Sequence, residues 1–158
     1  MNHQPQTYLH LVDPRHIVTT DPAKMDITAI HQFLMQFSWA EGINLETVEL
    51  SVRNSLCFGL FVGKQQIGFA RLITDWATFG YLCDVYVLQE WRHKKLSQKL
   101  SRWLIECCQQ HPVVQSLRRI LLVTSSASWL YEKVGFSAVN KDNFVWQIVR
   151  PDIYHKKA

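Results

Sequence analysis

Apolar positions along this 158-residue chain follow two rhythms. Leu56 to Val62 and Gln66 to Thr74 are rich in aliphatic, aromatic and β-branched residues and are separated by Gly63-Lys64-Gln65, a pattern that predicts a hairpin. Phe79 to Leu88 is a third such run with one charge, Asp84, and predicts a strand covered on both faces. Arg119 to Thr124 and Phe144 to Val149 have the same character, and a short strand is predicted near His16 to Thr20. Spacings of three and four mark the helices. Asp26 can cap one that runs to about Ala40 through Ile27, Ile30, Phe33, Leu34 and Phe37, and Asn44 can cap a second through about Arg53. Leu96, Leu100, Trp103, Leu104 and Cys107 stripe a long helix that starts near Trp91 and stops at His111-Pro112. Ser125 to Lys133 predicts a short helix broken at Gly135.

The order of these elements constrains the sheet. The early connections are too short for crossovers, so the first strands must pair antiparallel, whereas the helix from Trp91 is long enough to carry the chain over to a parallel neighbour. The expected class is α+β with α/β/α layers: a mixed, mostly antiparallel sheet and about four helices. Residues 15–150 read as one domain, preceded by a partly ordered polar extension over residues 1–14 and followed by a polar, basic tail over 151–158.

Composition narrows the class. With 47% hydrophobic and 19% charged residues the chain is neither disordered nor membranous, and no apolar run reaches the ~18 residues of a membrane helix. The N-terminal MNHQPQTYLH lacks a signal-peptide pattern, so a soluble, cytoplasmic protein is expected. Cys57, Cys83, Cys107 and Cys108 lie within apolar segments without C-x-x-C spacing and read as buried reduced thiols; the scattered histidines imply no metal. A net charge of +4, gathered at Arg92-His93-Lys94-Lys95 and in His155-Lys156-Lys157, suits a phosphate-bearing ligand better than a long nucleic-acid footprint.

The strand–turn–helix junction at Phe79 to Cys107 is where chemistry is expected. A helix that starts just past a buried strand aims its free N–H groups and positive dipole end out of the sheet, which makes an anion site. Arg92, His93, Lys94 and Lys95 surround that helix start. A charge run alone is most often a solvated helix end. Here Tyr86-Val87-Leu88-Gln89-Glu90-Trp91-Arg92-His93-Lys94-Lys95-Leu96-Ser97 resembles the pyrophosphate-binding motif of the GNAT superfamily of acetyl-CoA-dependent N-acetyltransferases. Lys95 stands where that motif has its first glycine, Ser97 where it has glycine or alanine, and Gln89 where proline is common. The resemblance implies that residues Arg92 to Ser97, with Leu96 among them, hold the pyrophosphate. It also implies that two parallel central strands splay apart, and that the pantetheine arm bonds to the backbone at Val85, Tyr86 and Val87.

A second signature supports the first. Ala127, Tyr131, Gly135 and Phe136 occupy the fixed positions of the superfamily's Ala-x-x-x-Tyr-x-x-x-Gly-Phe segment, with Thr124 where asparagine is frequent and Ser126 and Ser128 in the polar positions. By resemblance Thr124 and Ser126 contact the cofactor and Tyr131 is the general acid that protonates departing coenzyme A. A phenol near ~10 facing a thiol near ~8.5 makes that transfer reasonable. The acceptor amine must lose a proton before it attacks. Asp84, Glu41 and Asp75 are candidates to hold or relay it, and Trp39 and Trp76 could wall its pocket; a structural ion pair for Asp84 is an equal alternative. The leading expectation is an N-acetyltransferase acting by direct attack in a ternary complex on a primary amine of a small molecule or protein. The alternative is a catalytically weak GNAT-like module that binds acyl-CoA or a protein, motivated by Lys95 and Ser97; a nucleic-acid binder ranks last. A homodimer is a candidate assembly, since exposed apolar edges in this kind of fold often pair.

Overall fold

The computed structural model describes residues 3–88, 94–139 and 145–155. Its six strands are β1 (Thr7–Leu9), β2 (His16–Thr19), β3 (Leu56–Val62), β4 (Gln65–Thr74), β5 (Phe79–Val87) and β6 (Arg119–Leu121). They lie side by side in chain order in one sheet. Pairing is antiparallel from β1 to β5, and β6 joins β5 in parallel with Phe79 opposite Arg119 and Tyr81 opposite Leu121. The sequence reading places no element before His16. The structure adds β1, whose Thr7, Tyr8 and Leu9 pair with Thr19, Val18 and Ile17.

Among the described residues five α-helices cover the sheet: α1 (Ile27–Leu34), α2 (Leu45–Arg53), α3 (Lys94–Gln110), α4 (Pro112–Ser116) and α5 (Ser128–Lys133). Asp26 caps α1 by accepting from the Ala29 N–H at 3.0 Å, and Asn44 caps α2 by accepting from Thr47 at 2.8 Å. The stripe of α3, Leu100, Leu104, Ile105 and Cys107, packs with Leu130 of α5 and Val113 of α4 on one face of the sheet, against Phe58, Leu60, Leu72 and Leu82. On the other face Ile30, Phe33 and Leu34 of α1 and Val48 and Val52 of α2 pack on Cys57, Phe69 and Tyr86. Cover on both faces explains why β3 is buried along nearly its whole length rather than on alternate residues. Burial also pushes the Cys57 and Cys107 thiols up to about 12 and Cys83 to about 11. All four cysteines are free, as their apolar settings suggest.

Several elements are shorter than the sequence pattern. The first helix ends at Leu34 rather than near Ala40, because Phe37 turns extended and starts a 3-10 turn over Ser38–Ala40. The strand expected over Arg119 to Thr124 keeps three residues; beyond Leu121 its neighbour bends away and no described strand pairs with it. The helix expected from Ser125 starts at Ser128. A last strand over Phe144 to Val149 is not formed by its described residues 145–149, whose apolar side chains stand exposed without a strand beside them; Phe144 lies outside the described residues. Among the described residues, no helix is long and apolar enough to cross a membrane.

Leu104 is fully buried at the centre of the α3 face, so Leu104→Ala should lower the unfolding free energy by about 2–5 kcal/mol. Leu50→Ala, on the exposed side of α2, should change it by no more than about 0.5 kcal/mol. Urea midpoints at unchanged m value measure both.

Candidate active site

The site is made by a fault in the β4–β5 pairing. Phe69 faces Tyr86 and Arg71 faces Cys83, so Ala70 alone opposes both Asp84 and Val85. The extra residue is a bulge, with Asp84 at φ +53°, a left-handed conformation that non-glycine residues seldom adopt. Arg71 holds it there: its Nε donates to Asp84 Oδ2 at 2.8 Å and its Nη1 to Ser55 Oγ at 3.2 Å. The two charged side chains are 15% and 8% exposed, and a charge-assisted bond in such a dry setting is the strong kind. Sequence reasoning had Asp84 as the lone acid of a buried run but did not find Arg71, since strand register is needed to bring position 71 beside position 84.

Bending at the bulge carries β5 away from β6. Pairing ends at Tyr81 and Leu121, and no described strand lies against the β6-facing edge of residues 82–86. A cleft of about 540 Å³ opens there. Its floor is Tyr81 to Val85, one flank is Leu122 to Ala127 with Tyr131, and the other is Phe33, Leu34, Phe37 and Trp39. Of the residues singled out from the sequence, Tyr131, Asp84, Val85, Thr124, Ser126 and Trp39 all come together in this opening.

Tyr131 reaches it from α5. That helix closes with Phe136 N–H donating to Tyr131 C=O at 3.0 Å, with Gly135 at φ +97°, a left-handed end that suits glycine. The ring packs edge-on to Phe136 at 5.6 Å, and burial, with a smaller push from the Cys108 thiol, drives the phenol up to about 12. It is therefore a proton donor throughout the neutral range. Thr124 turns the chain into α5 by accepting from the Ala127 N–H at 3.0 Å, and Ser126 is exposed at the rim. Tyr86 and Val87 are buried, the Tyr86 ring stacked on Phe33 at 3.7 Å, so their side chains belong to the core. On α3, Lys95 is exposed and Leu96 and Ser97 are half-buried; Arg92, His93 and the Lys94 side chain lie outside the described residues.

Other candidates lie apart from the cleft. Asp75 accepts from the backbone of Ala77, Thr78 and Phe79 at 3.0, 2.7 and 3.1 Å, and from the Thr78 hydroxyl, tying the β4–β5 turn. The Thr78 hydroxyl and those N–H groups hold its carboxyl far below the usual range. Trp76 stacks on His3 at 4.8 Å beside a smaller hollow that includes His111. Glu41 is an exposed acid 3.5 Å from His155. Conversely Phe33 and Phe37, which helical spacing assigns to the core, line the cleft; an aromatic at three positions of one short stretch was the available signal. Because the bulge carboxylate is buried, Arg71→Met should cost roughly 3–5 kcal/mol, most of it recovered in Arg71→Met with Asp84→Asn. Urea unfolding of both variants reads the difference.

Residues 53–138 match the family model described as an acetyltransferase (GNAT) domain. A Gibberella zeae protein that bears an acetyltransferase name is 31% identical over 138 residues, covering 75% of this chain and 76% of that protein. A crystal structure from Xanthomonas campestris pv. campestris, described as belonging to the GNAT family, has a TM-score of 0.81 at 39% identity, over 89% of this chain and 97% of that one. A Mycobacterium tuberculosis structure in complex with CoA and NLQ shares the fold at a TM-score of 0.53 and 18% identity, over 77% and 72% of the two chains. The parted strands, the phenol beside them and these likenesses lead to one conclusion: the chain belongs to the GNAT acetyltransferase family.

Proposed function

We propose that the protein is an N-acetyltransferase that moves the acetyl group of acetyl-CoA to a primary amine by direct attack in a ternary complex. The observation that carries this reading is the opening between β5 and β6 with the Tyr131 phenol on its flank. The β6-facing edge of residues 82–86, with no described strand against it, offers amide donors and acceptors at strand spacing, which an amide-bearing arm can satisfy. We assign the pantetheine arm to the backbone of Val85, Tyr86 and Val87, and the pyrophosphate to the start of α3, with Arg92, His93, Lys94, Lys95, Leu96 and Ser97 around it. Thr124 and Ser126 face the arm from the other flank.

The amine nitrogen attacks the thioester carbonyl carbon, the C–S bond breaks, and the sulfur takes a proton from Tyr131 as it departs. Burial raises the phenol, and it raises any thiol in the same cleft for the same reason. The ordinary gap, ~10 against ~8.5, is thus the fair measure of the transfer, about 2 kcal/mol uphill and within reach of a short hydrogen bond. Asp84 Oδ2 is bonded to Arg71, so we assign Oδ1 as the acceptor of the amine's proton, directly or through a water.

Calorimetry should show saturable acetyl-CoA binding that weakens with salt and falls in Arg92→Ala. No heat and no thermal shift at millimolar acetyl-CoA would favour a non-catalytic module instead. Tyr131→Phe should reduce kcat by about 10²-fold or more with acetyl-CoA affinity unchanged, the usual scale for a lost general acid. The pH profile carries a sign of its own. kcat/KM should climb from pH 6 to 9 as the amine, near ~10.4, loses its proton. With the phenol at about 12, Tyr131 should add no falling limb in that window, so wild type and Tyr131→Phe should share the same rising profile up to pH 9 and differ in height; equal heights would contradict its assignment.

A further inference from the structure

The acceptor flank of the cleft is aromatic and fixed. Trp39 is 59% exposed and Phe37 36%, an unusual pair to leave in water, and they stack at 5.4 Å with 17° between their planes. Phe37 meets Phe33 at 5.1 Å, and Phe33 lies on Tyr86 at 3.7 Å, so four rings run from solvent down to the sheet just past the bulge. The turn that presents Trp39 is pinned by Ala40 N–H to Phe37 C=O and Ile43 N–H to Ala40 C=O, both at 3.1 Å, with Ala40 buried. These rings are therefore a preformed surface rather than a loose loop.

Charge on this surface is as informative as shape. Among the described residues lining the cleft the only carboxylate is Asp84, and Arg71 already bonds one of its oxygens. Glu41 stands outside the lining, exposed beside His155. Among the described lining residues, a second cationic group on the acceptor would find no further counterion, and an acceptor carboxylate would find no cation. What the flank does offer is ring faces, which attract a single ammonium by cation–π contact and stack on a flat apolar body.

From these observations we infer that the acceptor is a primary amine carried on an aromatic body, an arylalkylamine with one positive charge, seated on Trp39 and Phe37. The inference rests on the acetyltransferase reading and names the substrate class of that same site. It disfavours polyamines, lysine side chains in basic peptides, and amino acids with a free carboxylate.

The test uses the full chain with acetyl-CoA and four amines: tryptamine, phenethylamine, spermidine and a lysine-containing peptide, with release of free thiol as the readout. Phenethylamine and tryptamine should exceed the other two in kcat/KM by about tenfold or more, the scale of one well-stacked ring. Trp39→Ala should raise KM for the arylalkylamines by about tenfold at nearly unchanged kcat, and Trp39→Phe should restore most of the loss. Acetyl-CoA affinity, read by calorimetry, should be the same in both variants, which also shows that they fold. Faster turnover of spermidine or the peptide would overturn the inference and leave the acetyltransferase reading standing, as would a Trp39→Ala that leaves KM for phenethylamine unchanged. Turnover of none of the four amines would overturn the inference, and a missing acetyl-CoA signal would remove the acetyltransferase reading along with it.

Discussion

The ion pair between Arg71 and Asp84 is the constraint on which the site depends. A residue such as Asp84 in the left-handed region costs of order 1–3 kcal/mol. A charge-assisted hydrogen bond contributes about 1.5–3 kcal/mol, so the 2.8 Å contact roughly offsets the strain that it fixes. Two parallel strands that begin paired at Phe79 and Arg119 would otherwise continue in register. Because β5 is bent at position 84 they part after three residues, and backbone that a sheet would normally consume is left for a ligand. Strain and the proposed proton acceptor coincide at Asp84, and the remainder of the fold supplies the rigidity that holds it.

That rigidity comes from two separate cores. One joins α3, α4 and α5 to the sheet and the other joins α1 and α2 to its opposite face. The opening passes between them, so its two flanks belong to different layers: Tyr131 and the turn before α5 on one side, Phe33 of α1 with Phe37 and Trp39 just beyond it on the other. On the proposed reading, an acyl carrier and an acceptor would approach such a cleft from opposite faces and meet at the sheet.

Local pattern revealed those parts of the fold whose cause is local. The hairpin of β3 and β4, the strand β5, the stripe of α3 and the caps at Asp26 and Asn44 follow from periodicity and from hydrogen-bonding side chains a few residues away. What pattern missed depends on partners far along the chain. Ile120 to Val123 is an unbroken apolar run, yet among the described residues pairing stops at Leu121, because the bulge in β5 withdraws the neighbour. Residues 145–149 have strand composition but no described strand to join. The site shows the same division. Tyr131, Thr124 and Ser126 were legible from a motif within one turn and helix, whereas Arg71 as the holder of Asp84 required register. Trp76 and Asp75 looked equivalent to Trp39 and Asp84 in composition, and only the turn geometry sends them to another part of the molecule.

One further coupling follows from how α5 is attached. Gln109, in the last turn of α3, donates from Nε2 to Val134 C=O at 2.6 Å, at the end of the helix that bears Tyr131. With Leu104 and Leu130 in the same core, α3 and α5 are packed together as well as hydrogen-bonded. A helix of 17 residues is about 25 Å long, so its N-terminal end and the phenol are set apart by a rigid rod rather than by loops. A phosphate held at the start of α3 would fix how far a tethered thioester reaches along the cleft. On the proposed reading, the same fixed packing of α3 and α5 would hold the departing sulfur and Tyr131 in a constant relation.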